Sequence, residues 1–346
     1  MAERLQVAAL TAGARDPSAR FRVGQLAGPL ADHGVDVDWR PAPVSKYPPR
    51  ARWLRPLWLP LAVAARTPDV LASRRADVTL LNRELVSTLV TLEPWTGRPR
   101  VLDVDDAIWL HRGGGFARRL ARLADGVVAG NQVVADWFSQ HNANVRIVPT
   151  AVDTDRFRPA GAAVDGPPTL GWSGTSSNFR FLEALQPALR DVLAARPDAV
   201  LRISSDRPPR LPDLPADRVL YEPWSLEREV PFLQSLDVGL MPLADDAWSR
   251  GKCAYKMLLY LSCGVAAAVS PVGMNVEVLE AADVGRGAAD AAGWRDALLD
   301  LLADRDAARA MGARGRTLVE ERYSLHALAP RLAGLLSTAA RGEAWS

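Results

Sequence analysis

The 346-residue chain has 42 basic and 40 acidic side chains, a net charge of +2, and 48% hydrophobic residues. This composition excludes a disordered chain, a collagen-like repeat and a small disulfide-stabilised protein, and the length is typical of two domains. Because the apolar runs are too short for a membrane span and the N-terminus lacks a signal-peptide pattern, we expect a cytoplasmic protein.

In the first half of the chain, short apolar segments alternate with amphipathic ones. This alternation is typical of a parallel β-sheet covered by helices on both faces. Strands are predicted at Leu5–Leu10, Val35–Trp39, Val78–Leu81, Val101–Val104, Gly126–Ala129 and Val145–Val148. Helices are predicted at Phe21–Asp32, Arg83–Leu92 and Val133–His141. We therefore predict a doubly wound α/β domain over residues 1–155.

The second half repeats the alternation after a stretch rich in proline, glycine and alanine over residues 156–168, which we interpret as a linker. Strands are predicted at Thr169–Trp172, Val200–Ser204, Arg218–Tyr221, Val238–Met241 and Val265–Val269. Helices are predicted at Ser177–Ala195, Leu226–Leu236, Tyr255–Cys263, Ala291–Ala303, Arg305–Glu321 and Leu325–Ala340. We predict a second domain over residues 156–325 and a C-terminal helix over 326–346, with its return to the first domain as one arrangement. Ligands of such sheets bind at the carboxyl ends of the strands.

The turn after the first strand of the second half has the residue types of a phosphate site. Its strand ends at Gly174 and is followed by Thr175, two serines and Asn178, which are predicted to cap a helix beginning at Phe179. A helix N-terminus attracts anions through its free N–H groups and its dipole. The alternative is an ordinary capped helix.

A second candidate phosphate site lies further along the chain. Gly251 and Lys252 are predicted to lie in the first turn of a helix, with Lys256 one turn later on the same face. Two ammonium groups and backbone amides would clamp a diphosphate, whereas the alternative is a solvated helix face. The chain has only three lysines among its 42 basic residues. Arginine would serve a solvated face equally well, so the paired lysines favour the phosphate site.

The ordered series of motifs resembles the retaining glycosyltransferases of family 4, also called glycosyl transferases group 1. The resemblance covers nearly the whole chain and is carried by Leu80–Glu84, Val101–Trp109, Asn131, Pro149–Asp153, Asp237–Leu243, Gly251, Lys252, Lys256, Tyr260 and Cys263–Gly264. It implies an α/β protein of the GT-B fold, with two doubly wound Rossmann-like domains facing each other across a cleft. It also implies a nucleotide-sugar donor held mostly by the second domain, a hydroxyl acceptor held by the first, and no metal or other cofactor.

On the donor side, the resemblance implies that fixed cations and amides stabilise the leaving diphosphate. The residues assigned to donor binding are Gly174, Thr175, Asn178, Ser205, Asp206, Trp224, Gly251, Lys252 and Lys256. The chain departs from the family at Leu259, where many members have the ribose-binding glutamate of an E-x7-E motif, and at Gly251 eight residues earlier. Either Asp245 or Asp246 holds the ribose instead, or the site has lost activity.

On the acceptor side, Asp105 and Asp106 follow a predicted strand directly. A carboxylate there could accept the proton of an acceptor hydroxyl, so both are assigned as catalytic together with Lys256. The alternative is that Asp103 and Asp105 cap turns. The further acceptor-side candidates are Arg20, Arg22, Arg83, Glu84 and His111. For Arg20 and Arg22 the alternative is a solvated helix start, and for His111 a surface position.

The stretch Arg40–Arg75 holds eight basic residues and one acidic residue, interleaved with aromatic side chains. One hypothesis is weak peripheral attachment to the inner membrane face, near a lipid-linked acceptor. The favoured alternative is a helix with an ordinary buried stripe formed by Trp53, Leu54, Leu57, Trp58 and Leu61.

These observations favour a metal-independent transferase that moves a sugar from a nucleotide sugar to a hydroxyl with retention. The cysteines, Cys253 and Cys263, have no metal-binding spacing, and no metal or nucleic acid is expected as a partner. Two alternatives stay open. They are a nucleotide-sugar epimerase, which would turn over the donor alone, and a non-catalytic GT-B subunit that binds a nucleotide or a partner.

Overall fold

The computed structural model describes residues 4–161 and 166–345. The chain divides into two compact units. The first comprises Met1–Ala151, Gly251–Cys253 and Leu325–Ser346, and the second comprises Val152–Arg250 and Ala254–Ser324. Each unit contains one six-stranded parallel sheet, as the alternating pattern predicts.

The sheet of the first unit has the strand order β2-β1-β3-β4-β5-β6. Its strands are β1 (Leu5–Thr11), β2 (Val35–Pro41), β3 (Val78–Asn82), β4 (Arg100–Val104), β5 (Gly126–Ala129) and β6 (Val145–Ile147). The helices are α1 (Pro17–Arg22), α2 (Ala27–Asp32), α3 (Arg55–Ser73), α4 (Gly115–Leu123) and α5 (Gln132–Ser139). Apolar clusters cover both faces of the sheet, which explains why its central strands are mostly apolar.

The helix predicted over Arg83–Leu92 is wrong. The backbone at Arg83 and at Thr88 has φ 61°, in the left-handed region, so the chain turns instead of coiling. The carboxylate of the buried Glu93 accepts hydrogen bonds from the amides of Leu85 (2.8 Å) and Thr91 (2.5 Å). A side chain beyond the segment therefore satisfies amides that a helix would have paired internally.

The sheet of the second unit has the order β12-β11-β10-β7-β8-β9. Its strands are β7 (Thr169–Ser173), β8 (Val200–Ser205), β9 (Val219–Pro223), β10 (Val238–Met241), β11 (Ala266–Val269) and β12 (Gly285–Gly287). The helices are α6 (Phe179–Ala184), α7 (Gln186–Ala195), α8 (Leu226–Gln234), α9 (Ala247–Arg250), α10 (Tyr255–Ser262), α11 (Met274–Ala281), α12 (Ala291–Ala303) and α13 (Arg305–Arg322). The order reverses between β7 and β10, which is the topological switch point of this sheet.

The last helix, α14 (Leu325–Ala340), belongs to the first unit. Its buried Leu328, Leu332 and Leu336 share one apolar cluster with Val7 and Leu80 of the first sheet. Four of the residues predicted as a linker, 162–165, lie outside the described residues. The start of that stretch packs on the second unit, because the buried Phe157 accepts hydrogen bonds at its carbonyl from Ser262 Oγ (2.6 Å) and Arg316 Nη1 (2.5 Å).

Helix α3 has the reverse of the expected orientation. Its buried residues are Ala62, Arg66, Val70 and Ser73, whereas Trp53, Leu57 and Leu61 are exposed, so the predicted buried stripe is wrong. The Arg66 guanidinium donates to the carbonyls of Thr11 and Arg40, both at 2.9 Å, and to Asp69 at 3.0 Å. These hydrogen bonds hold the polar side of the helix inward. Within the described ranges, no helix is both long and apolar enough to span a membrane.

Candidate functional site

In the first unit, the predicted carboxylates lie at the carboxyl end of β4. The side chains of Asp105 and Asp106 are 14% and 24% exposed. Arg83, which follows β3, reaches both of them: its Nε donates to Asp105 Oδ1 at 2.7 Å and its Nη2 to Asp106 Oδ2 at 2.5 Å. The left-handed backbone of Arg83 directs its guanidinium to these neighbours instead of along a helix.

A buried hydrogen-bond network lies next to Asp105 and Asp106. Arg22 forms a bidentate ion pair with Asp103, with donor–acceptor distances of 3.0 and 2.6 Å, and also donates to the carbonyl of Val148 at 2.7 Å. Because Arg22 is buried and occupied in this way, both predictions for it, a phosphate ligand and a solvated helix start, are wrong. Asp103 does not cap a turn but forms this buried pair.

Two residues that the sequence analysis did not assign connect the buried Arg22–Asp103 pair to Asp105. Asn82 Nδ2 donates to Asp103 Oδ1 at 3.1 Å and to Ser18 Oγ at 3.2 Å, and Ser18 Oγ donates to Asp105 Oδ1 at 2.9 Å. Asn82 ends β3 and Ser18 lies on the helix that follows β1. For Asn82, a polar residue at the end of an apolar parallel strand is the signal that could have identified it, whereas Ser18 carries no comparable signal.

The pKa values of the part-buried Asp105 and Asp106 carboxylates are shifted in opposite directions. Burial alone would raise the pKa of Asp105, but the charges of Arg83 and Arg22 and the hydrogen bonds from Arg83 and Ser18 lower it. For Asp106, burial and the neighbouring charge of Asp105 raise the pKa despite the charges of Arg83 and Lys252. Such a divergence favours ionised Asp105 as the positioning carboxylate and Asp106 as the one that accepts a proton more readily.

The segment Gly251–Cys253 packs in this first unit and is not helical. Helix α9 ends at Arg250 and α10 begins at Tyr255, with Ala254 at φ 50° between them. The prediction that Gly251 and Lys252 form the first turn of a helix is therefore wrong, and Lys252 does not share a helical face with Lys256.

Long-range hydrogen bonds hold this segment in its irregular conformation. Asn131 Nδ2 donates to the carbonyl of Gly251 at 2.8 Å, and Cys253 Sγ donates to the carbonyl of Asp105 at 3.1 Å. Burial raises the pKa of the Cys253 thiol to about 12, so it stays a donor at neutral pH. A Cβ at Gly251 would lie 2.7 Å from Cβ of Ala107, which explains the glycine.

The other acceptor-side candidates are dispersed around the cluster. Glu84 is buried and pairs with the buried Lys46 at 3.4 Å, and burial lowers the pKa of Lys46 in spite of this partner. Arg20 is half-buried, with its guanidinium 5.1 Å from the ring of Phe21. His111 is exposed at the end of a 3₁₀ turn.

In the second unit, Gly174 and Lys256 come together at the switch point. Lys256 Nζ lies 4.7 Å from the ring centroid of Trp172, and a Cβ at Gly174 would lie 2.7 Å from that nitrogen. Gly174 therefore lets the chain pass directly beside an ammonium group at the carboxyl end of β7. This end of the sheet is where open α/β sheets bind ligands.

Tyr260 holds the two strands of the switch point, a role that sequence reasoning missed. Strands β7 and β10 pair only through Leu170–Val238 and Gly171–Gly239. Beyond these pairs, the Tyr260 hydroxyl accepts from the amide of Ser173 and donates to the carbonyl of Leu240, both at 3.2 Å. A phenol bridging two strands leaves no local pattern in the sequence, because its partners are 20 and 87 positions away.

The turn after Gly174 differs from the predicted helix cap. Asn178 precedes α6 without a side-chain cap, and its Nδ2 donates to Thr175 Oγ1 at 3.1 Å. Ser176 donates through its amide and its hydroxyl to Asp206, at 2.6 and 2.7 Å, and the hydroxyl is the main cause of the lowered pKa of Asp206. The amide of Ser176, which was predicted to be available to a phosphate, therefore donates to Asp206 instead.

The remaining donor-side candidates lie at the ends of β8, β9 and β10. Ser205 is buried, its hydroxyl donates to the carbonyl of Arg207, and its own carbonyl accepts from the amide of Trp224 at 3.0 Å. The Trp224 indole is exposed on one part of its surface and donates to Glu229 at 3.3 Å. Such an indole can stack on a base.

A cavity of about 300 Å³ opens in the second unit beside the carboxyl end of β10. Its lining includes Arg180, Asp246, Ser270 and Asp290. Of the two carboxylates predicted to hold a ribose, Asp246 borders this cavity and caps α9 through the amide of Ser249 at 2.7 Å. Asp245 instead pairs with Arg250 at 2.6 Å. Leu259 is buried, so its position is filled by apolar packing.

Neither a protein-family model nor a curated protein sequence matches the chain. Solved structures do. Sucrose-phosphate synthase from Thermosynechococcus elongatus superposes with a TM-score of 0.71 at 17% identity, covering 97% of this chain and 99% of that one. HepE from Anabaena, solved in complex with UDP and glucose, has a TM-score of 0.71 at 13% identity, covering 97% and 100%. WaaG, a glycosyltransferase involved in lipopolysaccharide biosynthesis, has a TM-score of 0.67 at 14% identity, covering 96% and 99%.

At these identities the likeness shows the fold alone. The chain has two Rossmann-like units of the GT-B type, and the predicted fold class is confirmed. Membership of family 4 and retention of configuration stay predictions. So do the roles of the individual site residues.

Proposed function

We propose that the chain is a glycosyltransferase that moves a sugar from a nucleotide sugar to an acceptor hydroxyl, with retention and without a metal ion. The observation that carries this proposal is the ammonium group of Lys256 beside Gly174 at the switch point of the second sheet. Structures of the same fold have been solved with UDP and with UDP-glucose. The proposal extends that ligand chemistry to this site.

On the donor side, the reaction breaks the bond between the anomeric carbon and the diphosphate oxygen. The electron pair of that bond leaves with the diphosphate, and the fixed charge of Lys256 stabilises it. Lys256 provides the positive charge that a divalent metal ion would otherwise provide, so we propose that turnover survives EDTA. Loss of turnover in EDTA, restored by magnesium or manganese, would contradict this part of the proposal.

On the acceptor side, the acceptor oxygen forms the new bond to the anomeric carbon and its proton passes to Asp106. Asp106 suits this role because its pKa is raised and its side chain is partly exposed. Arg83 and Asp105 are positioning residues, since they act through the carboxylate of Asp106. Lys252, whose charge acts on Asp106, is assigned to this acceptor side and not to the diphosphate.

The first experiment is a thermal-shift panel of UDP, GDP, ADP and dTDP, with the matching nucleosides as controls. A ligand at 100 times its Kd adds about 2.7 kcal/mol of stability. We expect one diphosphate to raise the melting temperature and its nucleoside to have a much smaller effect. No response to any of the four diphosphates would overturn the proposal.

A non-catalytic nucleotide-binding subunit is the second candidate, and the buried Leu259 favours it. In this case the thermal shift appears but the donor is neither hydrolysed nor transferred. Hydrolysis of the nucleotide sugar that corresponds to the stabilising diphosphate separates the two, because it requires no knowledge of the acceptor. Slow release of free sugar supports the enzyme.

A further inference from the structure

Helix α3 exposes apolar side chains along its whole length. Trp53, just before the helix, is 76% exposed, and Leu57, Leu61 and Leu71 are 69%, 58% and 52% exposed. The other exposed residues of the helix are Arg55, Pro56, Pro60, Ala64 and Pro68. Positions 57, 61, 64, 68 and 71 recur at three- and four-residue spacing, so they form one continuous stripe. At 1.5 Å per residue the helix is about 28 Å long.

The fold holds this apolar stripe outward. Rotating α3 to bury the leucines would remove the Arg66 guanidinium from the carbonyls of Thr11 and Arg40 and leave these polar groups unpaired. Continuous apolar stripes of this length are uncommon on monomeric proteins unless something covers them. The stripe is therefore a candidate docking surface.

The charges around the stripe indicate that occupant. Arg50, Arg52 and Arg55 are exposed at its N-terminal end, and Arg74 and Arg75 at its C-terminal end. The acidic Asp69 is only partly exposed and pairs with Arg40 and Arg66. A second copy of the chain would bring like-charged ends together in either orientation of the helices, which disfavours a symmetric dimer. An anionic surface with an apolar interior suits both the arginines and the leucines.

We propose that Trp53 and the leucine stripe of α3 dock the chain peripherally on an anionic lipid bilayer. The helix lies in the plane of the membrane, with its leucines in the boundary between headgroups and acyl chains and Trp53 at headgroup level. The arginines at both ends contact the anionic headgroups. This attachment does not depend on the proposed sugar transfer, so its failure and the failure of the nucleotide panel are separate results.

The test is flotation of the full chain with vesicles of phosphatidylcholine alone or with about one-third phosphatidylglycerol. We expect the chain to float with the anionic vesicles and to stay in the soluble fraction with the neutral ones. The variant W53Q/L57Q/L61Q/L71Q should lower the bound fraction at least tenfold, because glutamine keeps helix propensity but removes the apolar contact. The variant R50E/R52E/R55E should lower it similarly.

Matched controls in the second unit exclude general effects of polarity and charge. L220Q/L226Q changes two exposed leucines there, and R210E/R309E/R322E reverses three exposed arginines. Both controls should float like the natural chain. A chain that stays soluble with both vesicle types, or a glutamine variant that floats normally, would overturn the proposal. A dimer in light scattering that only the glutamine variant dissociates, without vesicle binding, would assign the stripe to a second copy instead.

Discussion

Asp105 and Asp106 are adjacent in sequence and share Arg83, yet they have opposite pKa shifts. The difference arises from their partners. Asp105 also accepts from Ser18 and lies near the buried Arg22, whereas Asp106 experiences the negative charge of Asp105 without such hydrogen bonds from beneath. At the residue scale, Asp105 is therefore a positioning residue, and Asp106 is the carboxylate that accepts a proton more readily.

This difference predicts opposite stability effects for the two asparagine variants. The lowered pKa of Asp105 means that its ionised form stabilises the folded state above its unfolded pKa, and that this contribution is lost as pH falls through the folded pKa. We expect Asp105→Asn to lower the free energy of unfolding at pH 7 by about 2 kcal/mol. Urea denaturation at pH 7 and under acidic conditions measures it, and the difference should disappear at low pH.

For Asp106 the sign is reversed. A raised folded pKa means that ionised Asp106 opposes folding at neutral pH, so Asp106→Asn should leave the free energy of unfolding unchanged or raise it by up to about 1 kcal/mol. The same variant should lower transfer or donor hydrolysis about 100-fold, since it cannot accept a proton. Equal destabilisation by both asparagine variants would contradict the assignment of their roles.

Lys256 is predicted to bind the diphosphate and not the nucleoside. Lys256→Met keeps the aliphatic contact with Trp172 and removes the charge, so the diphosphate that stabilises the chain in the thermal-shift panel should bind about tenfold to a hundredfold more weakly while its nucleoside is unaffected. Isothermal titration with both ligands measures the contrast. The matched variant is Lys252→Met, for which the affinity for that diphosphate should change less than twofold because Lys252 acts on Asp106. Equal losses in both variants would contradict this separation.

At the scale of elements, α10 connects the two strands at the switch point of the second sheet. It places Tyr260 between β7 and β10, where the ring packs directly against Gly239 and the hydroxyl bridges Ser173 and Leu240. A Cβ at Gly239 would lie 2.2 Å from the ring, so the glycine is required by this approach. The helix that carries Lys256 thus also carries the phenol that bridges the two strands.

Removal of the Tyr260 hydroxyl tests this bridge. Tyr260→Phe removes this partner from the part-buried amide of Ser173 and from the buried carbonyl of Leu240, and we expect the free energy of unfolding to fall by about 2 kcal/mol. The control is Tyr221→Phe, since Tyr221 is half-buried and donates only to the carbonyl of Ser205 at 3.2 Å. It should cost less than about 1 kcal/mol. Equal effects in chemical denaturation would show that the bridge has no special role.

At the scale of the whole molecule, the first unit is formed by stretches of sequence that the second unit separates. Helix α14 follows the second unit in sequence but supplies part of the core of the first, with Leu332 beside the first sheet. The short segment Gly251–Cys253 also belongs to the first unit. The core of the first unit therefore includes residues that follow the second unit in sequence.

Hydrogen exchange can test this dependence locally. Leu332→Ala should destabilise the first unit by about 2–5 kcal/mol and speed exchange in β1 and β3, leaving β7 and β10 unchanged. Leu302→Ala, in the core of the second unit, should show the reverse pattern. If Leu332→Ala accelerated exchange in β7 and β10 instead, α14 would not be a core element of the first unit.

Much of this protein can be predicted from local patterns. The strand predicted at Val101–Val104 is observed as β4, and that at Val238–Met241 as β10, because a strand buried on both faces is rich in apolar residues. Residues directly after such strands, including Asp105, Asp106 and Gly174, are then brought to the carboxyl ends of the sheets by the alternation of strands and helices. Local sequence was therefore sufficient for the fold class and for the position of these residues at the strand ends.

Local patterns fail where a distant partner changes the outcome. Periodicity locates α3 but cannot tell which face is buried, because Arg66 finds carbonyl acceptors on β1 and β2 that no nearby residue reveals. Gly251 is predicted in a helix, but it lies in an irregular segment whose carbonyl accepts a hydrogen bond from Asn131, 120 positions earlier. The opposite pKa shifts of Asp105 and Asp106 likewise depend on charges assembled from four separate segments. In each case the deciding energy is that of a buried polar group or charge, which depends on partners that only the folded chain brings within reach.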